Sequence, residues 1–197
     1  MIDGLEWPKG VVSQGDVGVV FLSGHGGTDA SRKFLFAPSD AVLDDAAGLN
    51  LPKRSTAVPD TEIRDALQAL RGHALFFFDT CHAGRAAGMR FKGDSDFQSF
   101  VAELASAGTG AMVLASSDGT ELSQERDEWR HGAFTKALLE GVVDGKADLV
   151  GNDGVITIDE LGLYVKERVK ALTSGHQHPV DLRPTETPNL AFASVRR

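Results

Sequence analysis

An α/β fold with a mostly parallel central sheet, covered by helices on both faces, is what this sequence predicts, and three observations predict it. Val17–Leu22, Ala74–Phe78 and Ala111–Ala115 are wholly or almost wholly apolar runs. They are short, rich in β-branched and aromatic residues, and so read as strands buried on both faces. Between and after them, apolar residues recur at helical spacing, and strands that alternate with helices pack as parallel sheets with helical cover.

Taken in order, residues 1–16 are polar and broken by Pro8, Gly10 and Gly15, and read as a lead-in segment. Val17 to Leu22 is the first strand, running into the small-residue turn Ser23-Gly24-His25-Gly26-Gly27. Lys33 to Ala37 is a short strand, and the Pro-, Asp- and Gly-containing stretch from Pro38 to Pro59 is a long surface loop. Asp60 or Thr61 caps a helix whose apolar face is Ile63, Ala66, Leu67 and Leu70, with Gly72 ending it. The strand Ala74–Phe78 then runs into Asp79-Thr80-Cys81-His82-Ala83-Gly84. Arg85 to Asp96 is a charged, glycine-containing connection, and Phe97 to Ala107 is a second helix through Phe97, Phe100, Val101 and Leu104. After the strand Ala111–Ala115, Ser116 to Arg130 is a polar loop and Gly132 to Val142 a third helix. Thr157-Ile158-Asp159-Glu160 is a capping box opening a fourth helix. The tail from Pro179 to Ala193 is extended, with a last strand at Asn189 to Ala193.

The chain of 197 residues fits one domain with a real core. Its formal charge of −8 argues against sequence-independent nucleic-acid binding, which needs basic residues on phosphates, and favours basic partners. No apolar run approaches the ~20 residues that cross a bilayer, and the first residues lack a basic, apolar leader pattern. The expectation is a soluble, cytoplasmic protein. A single cysteine excludes an internal disulfide and a multi-cysteine metal site. That thiol is either inert core or chemistry.

Two buried strands, one ending at His25 and the other at Cys81, present an imidazole and a thiol at the same carboxyl edge of a parallel sheet, where open α/β folds bind ligands. A histidine remote in sequence and adjacent in space is the base of a Cys/His pair. Here His25 lies 56 residues before Cys81. A free thiol titrates near ~8.5 and attacks as the thiolate, so the imidazole would have to take its proton. His82, next to the nucleophile, falls on the opposite strand face and reads as a packing residue; His73, His131, His176 and His178 have no partner pattern.

On these residues the chain resembles the caspase-like cysteine peptidases, and within them the metacaspase branch and its bacterial relatives. The resemblance lies in the strands ending at Ser23-Gly24-His25-Gly26 and Asp79-Thr80-Cys81-His82-Ala83-Gly84. It continues in Ala115-Ser116-Ser117-Asp118 and His131-Gly132-Ala133-Phe134-Thr135-Lys136-Ala137-Leu138-Leu139-Glu140-Gly141. It implies a three-layer α-β-α sandwich and a peptidase in which Cys81 attacks, His25 serves as acid and base, and the N–H groups of Gly26 and Cys81 hold the oxyanion. For Gly26 the alternative is a turn that simply needs glycine. By the same resemblance Asp79 lines the pocket for the residue before the cut bond, implying cleavage after Arg or Lys; its alternative is a helix or loop cap. Asp118 is a second pocket acid or a turn residue.

The resemblance also makes 85–96 the connection between large and small subunits, with Arg85, Arg90 and Lys92 as self-cleavage sites if the pocket selects basic residues. Some metacaspases are activated by calcium. The stretch Asn152–Glu160 has the glycine and final acid of a calcium loop but carries Leu149 and Gly151 at the first and third ligand positions, so no cofactor is required by the sequence. Asp44 and Asp45 are a vaguer alternative. Members of the family begin with a further strand and helix before the histidine strand, and none is legible here. An added domain or chain supplying that part of the sheet, or a catalytically silent module that binds partners, is the alternative reading.

Overall fold

The computed structural model describes residues 2–29, 31, 33–44, 51–82, 94–106, 110–119 and 121–195. Helix α1 (Ile2–Val11) is followed by β1 (Val17–Thr28), β2 (Phe34–Ala37), β3 (Leu43–Asp44), β4 (Leu51–Pro52) and β5 (Val58–Pro59). Next come α2 (Asp60–Gln68), β6 (His73–His82), α3 (Asp94–Leu104), β7 (Ala111–Ala115), β8 (Glu125–Arg126) and β9 (His131–Gly132). The chain closes with α4 (Ala133–Val142), β10 (Val155–Thr157), α5 (Ile158–Leu172), β11 (Val180–Leu182) and β12 (Ala191–Ser194). The main sheet runs β11-β7-β6-β1-β2-β5. Its centre, β1 with β6 and β6 with β7, is parallel, and β11, β2 and β5 join antiparallel.

Alternation along β6 divides the core in two. Phe76 and Phe78 face one way, with Ile63 and Leu67 of α2 and Phe97, Phe100 and Leu104 of α3. Leu75 and Phe77 face the other, with Phe134 and Leu138 of α4 and Leu161, Val165 and Val169 of α5. The three layers are therefore helices, sheet, helices. Phenylalanine fills the first side: Phe34 stacks on Phe100 with centroids 4.8 Å apart and meets Phe78 edge-on at 5.4 Å. Each such ring contributes about 1.5–3 kcal/mol by leaving water.

Several expectations are corrected. The lead-in segment is helix α1: Leu5 and Pro8, one turn apart, are buried, and Leu5 joins the first core. Pro8 masks the periodicity by acting as a helix breaker on paper, yet the helix accommodates it. A helix thus precedes the histidine strand after all. Among the described residues no strand precedes it, and on the side of β1 away from β6 only His25 to Thr28 are paired, with β2. The turns expected after Leu22 and Phe78 are continuations of β1 and β6 through His25 and Cys81. Pro59, not Asp60 or Thr61, is the N-cap of α2, without a side-chain bond; Asp60 instead accepts from Thr61 N–H and Arg64. The last strand, β12, pairs with β10 away from the main sheet, and the unexpected β11 closes the edge beyond β7.

Candidate functional site

The parallel register of β1 against β6 fixes the centre of the site. Ser23 is opposite Asp79, Gly24 opposite Thr80, and His25 opposite Cys81. Partners in a parallel pair share a face and lie about 4.8 Å apart along the hydrogen-bonding direction. Residues 79 and 81 belong to the same face as Leu75 and Phe77, the face covered by α4 and α5, and residues 21, 23 and 25 of β1 share it. Ser23 and His25 are exposed, and Phe21 keeps 44% of its surface. Sequence reasoning places His25 and Cys81 together, and the register does the same.

Glycine at 24 and 26 has a reason other than a turn. A Cβ on Gly26 would lie 2.8 Å from the Phe34 ring, and one on Gly24 3.0 Å from the Phe36 ring. The back of β1 is bare because these aromatic rings occupy the space.

Asp79 is 7% exposed and lies against the start of α4. Its Oδ2 accepts from the Thr135 hydroxyl at 2.5 Å. Burial pushes its carboxyl above the ordinary value of 3.8. The Thr135 hydroxyl and backbone N–H and the Ser116 hydroxyl pull it back, while Glu125 pushes it further up. Gly132, the N-cap of α4, offers no side chain, so this carboxylate from a distant strand serves the first turn of the helix. Asp79 thus bonds a side chain in the first turn of α4 and lies beside a cavity. That cavity, about 1030 Å³, is lined by Phe21 and Ser23 of β1, by Glu125, Arg126, Asp127 and Arg130, and by His131, Gly132 and Thr135. A Cβ on Gly132 would approach Asp79 Oδ2 to 3.0 Å.

Glu125, Gly132 and Thr135 are site residues that sequence reasoning passed over. Glu125 and Thr135 looked like ordinary loop and helix positions, and only the meeting of α4 with β6 gives them a role. Asp118 is half-buried after β7, next to Gly119 at φ 89°, and is not among the residues lining the cavity. The segment carrying Arg85, Arg90 and Lys92 lies outside the described residues, as do Asp45 and the side chain of Asp44.

The loop before α5 does not fit a calcium ion. Glu160, at the last ligand position, accepts Leu149 N–H and Val150 N–H on one oxygen and Thr157 N–H and hydroxyl on the other. Asp148 Oδ2 accepts Gly154 N–H, leaving a single free buried oxygen. The carboxylates are filled by the chain itself, and the capping box Thr157–Glu160 is formed as the sequence predicts. Among the described residues, no group of three His, Cys, Asp or Glu stands together as metal ligands, and no helix is long and apolar enough to cross a membrane.

No curated protein is significantly similar to the chain in sequence. Among solved structures it is similar to the crystal structure of protein GSU0716 from Geobacter sulfurreducens, with a TM-score of 0.58 and 17% identity over 99% of this chain and 78% of that one. The likeness is one of fold. The model of the caspase domain, peptidase family C14, matches residues 1–190. With the strand ends, the three layers and this match in agreement, the chain belongs to the caspase-domain family of cysteine peptidases.

Proposed function

We propose that the protein is a cysteine endopeptidase that hydrolyses peptide bonds after Arg or Lys. The observation that carries this reading is the register pair His25 and Cys81, on one face, with Asp79 two residues back beside an open cavity. In the proposed reaction the Cys81 thiol passes its proton to His25, and the sulfur attacks the peptide carbonyl carbon. The carbonyl electrons move to oxygen, where the N–H groups of Gly26 and Cys81 stabilise the charge. As the C–N bond breaks, His25 returns the proton to the leaving amine. Water, deprotonated by His25, then opens the thioester and restores the thiol.

Asp79, aided by Glu125 across the cavity, gives the site negative charge for a guanidinium or ammonium group; Asp118 is the further acid of this reading. Arg85, Arg90 and Lys92 follow the nucleophile closely in sequence and are its proposed self-processing positions. A second reading, a silent module that binds partners, is favoured by the unpaired outer edge of β1 from Val17 to Gly24 among the described residues.

An arginyl peptide reporter separates the two. Cys81→Ala and His25→Ala each remove cleavage if the first reading holds. Undiminished turnover in the Cys81→Ala protein overturns it, and a wild-type thiol that iodoacetamide alkylates no faster than a free cysteine favours the second.

A further inference from the structure

At about 1030 Å³ the cavity is the size of sites that enclose a whole drug-sized molecule, more room than one basic side chain fills. The hairpin that walls it sorts its charges. Glu125 of β8 is opposite Gly132 of β9, and Arg126 is opposite His131. Opposite residues of an antiparallel pair share a face and neighbours alternate, so Glu125 and Gly132 are on one face of the ribbon and Arg126 and His131 on the other. The face of Gly132 is the one towards Asp79, because a Cβ there would lie 3.0 Å from Asp79 Oδ2.

Of the two arginines at this wall, one is engaged. Arg126 Cζ lies 4.7 Å from the centroid of the Trp129 ring, itself buried, and Nη1 donates to Glu128 at 3.3 Å. Arg130 is exposed and lines the cavity, and among the described residues its guanidinium has no carboxylate or other acceptor. Its backbone N–H donates to Arg126 O and Asp127 O, closing the turn between β8 and β9. The turn holds Arg130 at φ 60°, in the left-handed region that glycine or asparagine enters with less strain. An unpaired cation on strained backbone at the wall of a cavity is a feature that the fold itself does not require.

We propose that Arg130 is a specificity residue that binds the carboxylate of an aspartate or glutamate in the substrate, close in sequence to the basic residue held by Asp79. This rests on the reading of the cavity as the site for peptides cut after Arg or Lys, and deepens it. The substrate class becomes a peptide carrying both charges, its cation on the side of Asp79 and Glu125 and its anion on the side of Arg130. A guanidinium suits the second task because it donates two parallel N–H bonds to one carboxylate. A cavity of this volume is on the order of 10 Å across, and an extended chain advances about 3.3 Å per residue, so the two charges are about three residues apart or fewer.

The test uses quenched fluorescent peptides with a single arginine and either Glu or Gln at one position, moved from three residues before the arginine to three after it. Turnover by the wild type and binding by the Cys81→Ala protein are measured for each Glu and Gln pair. At one position Glu should be preferred about fivefold, the size of a part-exposed ion pair, and the preference should shrink in about 0.5 M salt. Arg130→Gln should bring the ratio of the pair to about one, and Arg130→Lys, which keeps the charge but not the fork, should retain part of it. Equal rates and equal affinities for Glu and Gln peptides at every position overturn the proposal, as does a preference that Arg130→Gln leaves unchanged. Binding that prefers Glu with no turnover of any peptide instead overturns the peptidase reading, and is distinct from either result.

Discussion

Replacing Asp79 by Asn separates what this carboxylate does for the substrate from what it costs the fold. The change keeps the shape and leaves an amide oxygen to accept the Thr135 hydroxyl, which now donates to Oδ2 at 2.5 Å. What it removes is charge. Hydrogen bonds to a charged group contribute about 1.5–3 kcal/mol, so with a tenfold change for every 1.4 kcal/mol, kcat/KM for an arginyl reporter should fall by about ten- to a hundredfold. A reporter with a neutral residue before the cut bond should change little. Stability should move the other way. Burial raises the folded carboxyl above 3.8, so ionised Asp79 opposes folding. That cost is absent below 3.8, grows as pH rises towards the folded value and is complete above it. At neutral pH the Asn variant should therefore melt at the same or a higher temperature. KM for the arginyl reporter should also rise in the wild type as acid protonates Asp79, and should be flat across that range in the variant. Paired kinetics with the two reporters and thermal melts over a pH series measure all three. Retained arginine preference in Asp79→Asn, or a melting point well below wild type, would refute the assignment of Asp79 to substrate charge.

Gly132→Ala places a methyl group 3.0 Å from Asp79 Oδ2 and should reduce arginyl kcat/KM while leaving iodoacetamide reactivity of Cys81 intact; a parallel loss of both would point to a general collapse of the site. Glu140 ties α4 to α5 through Arg168 and pairs with Lys136 one turn back in α4, with Arg168 foremost in holding its carboxyl down at about 2. The stability it adds is present above 4.5 and lost as pH falls from there towards about 2. Glu140→Gln should cost about 1–3 kcal/mol at neutral pH and flatten that part of the acid unfolding curve, as followed by urea titration at successive pH values.

Elements governed by their own residues were legible. The strand Ala111–Ala115 and the capping box at Thr157 and Glu160 appear where the residues put them, because burial on both faces and a reciprocal cap leave local signatures. Elements governed by distant packing were not. The helix through Pro8 is held by burial of Leu5, β11 is three half-buried residues recruited by the edge of β7, and His25 sits in a strand because β6 and the rings of Phe34 and Phe36 extend it there. In the candidate site, His25, Cys81 and Asp79 carry distinctive chemistry at strand ends that a sequence can single out. Thr135 and Glu125 are common residue types whose place beside Asp79 comes only from what lies across from them.

The bare back of β1 ties correct folding to correct chemistry. Side chains on a strand alternate with a period of two, so sliding β1 by one position against β6 would set a glycine across from the thiol and drive the imidazole into the phenylalanine-filled interior. A misaligned β1–β6 pair could not persist as a well-packed impostor, since the slip that would silence the proposed chemistry also ruptures the greasiest layer of the fold. Quality control of the fold is, at this strand, quality control of the reagent.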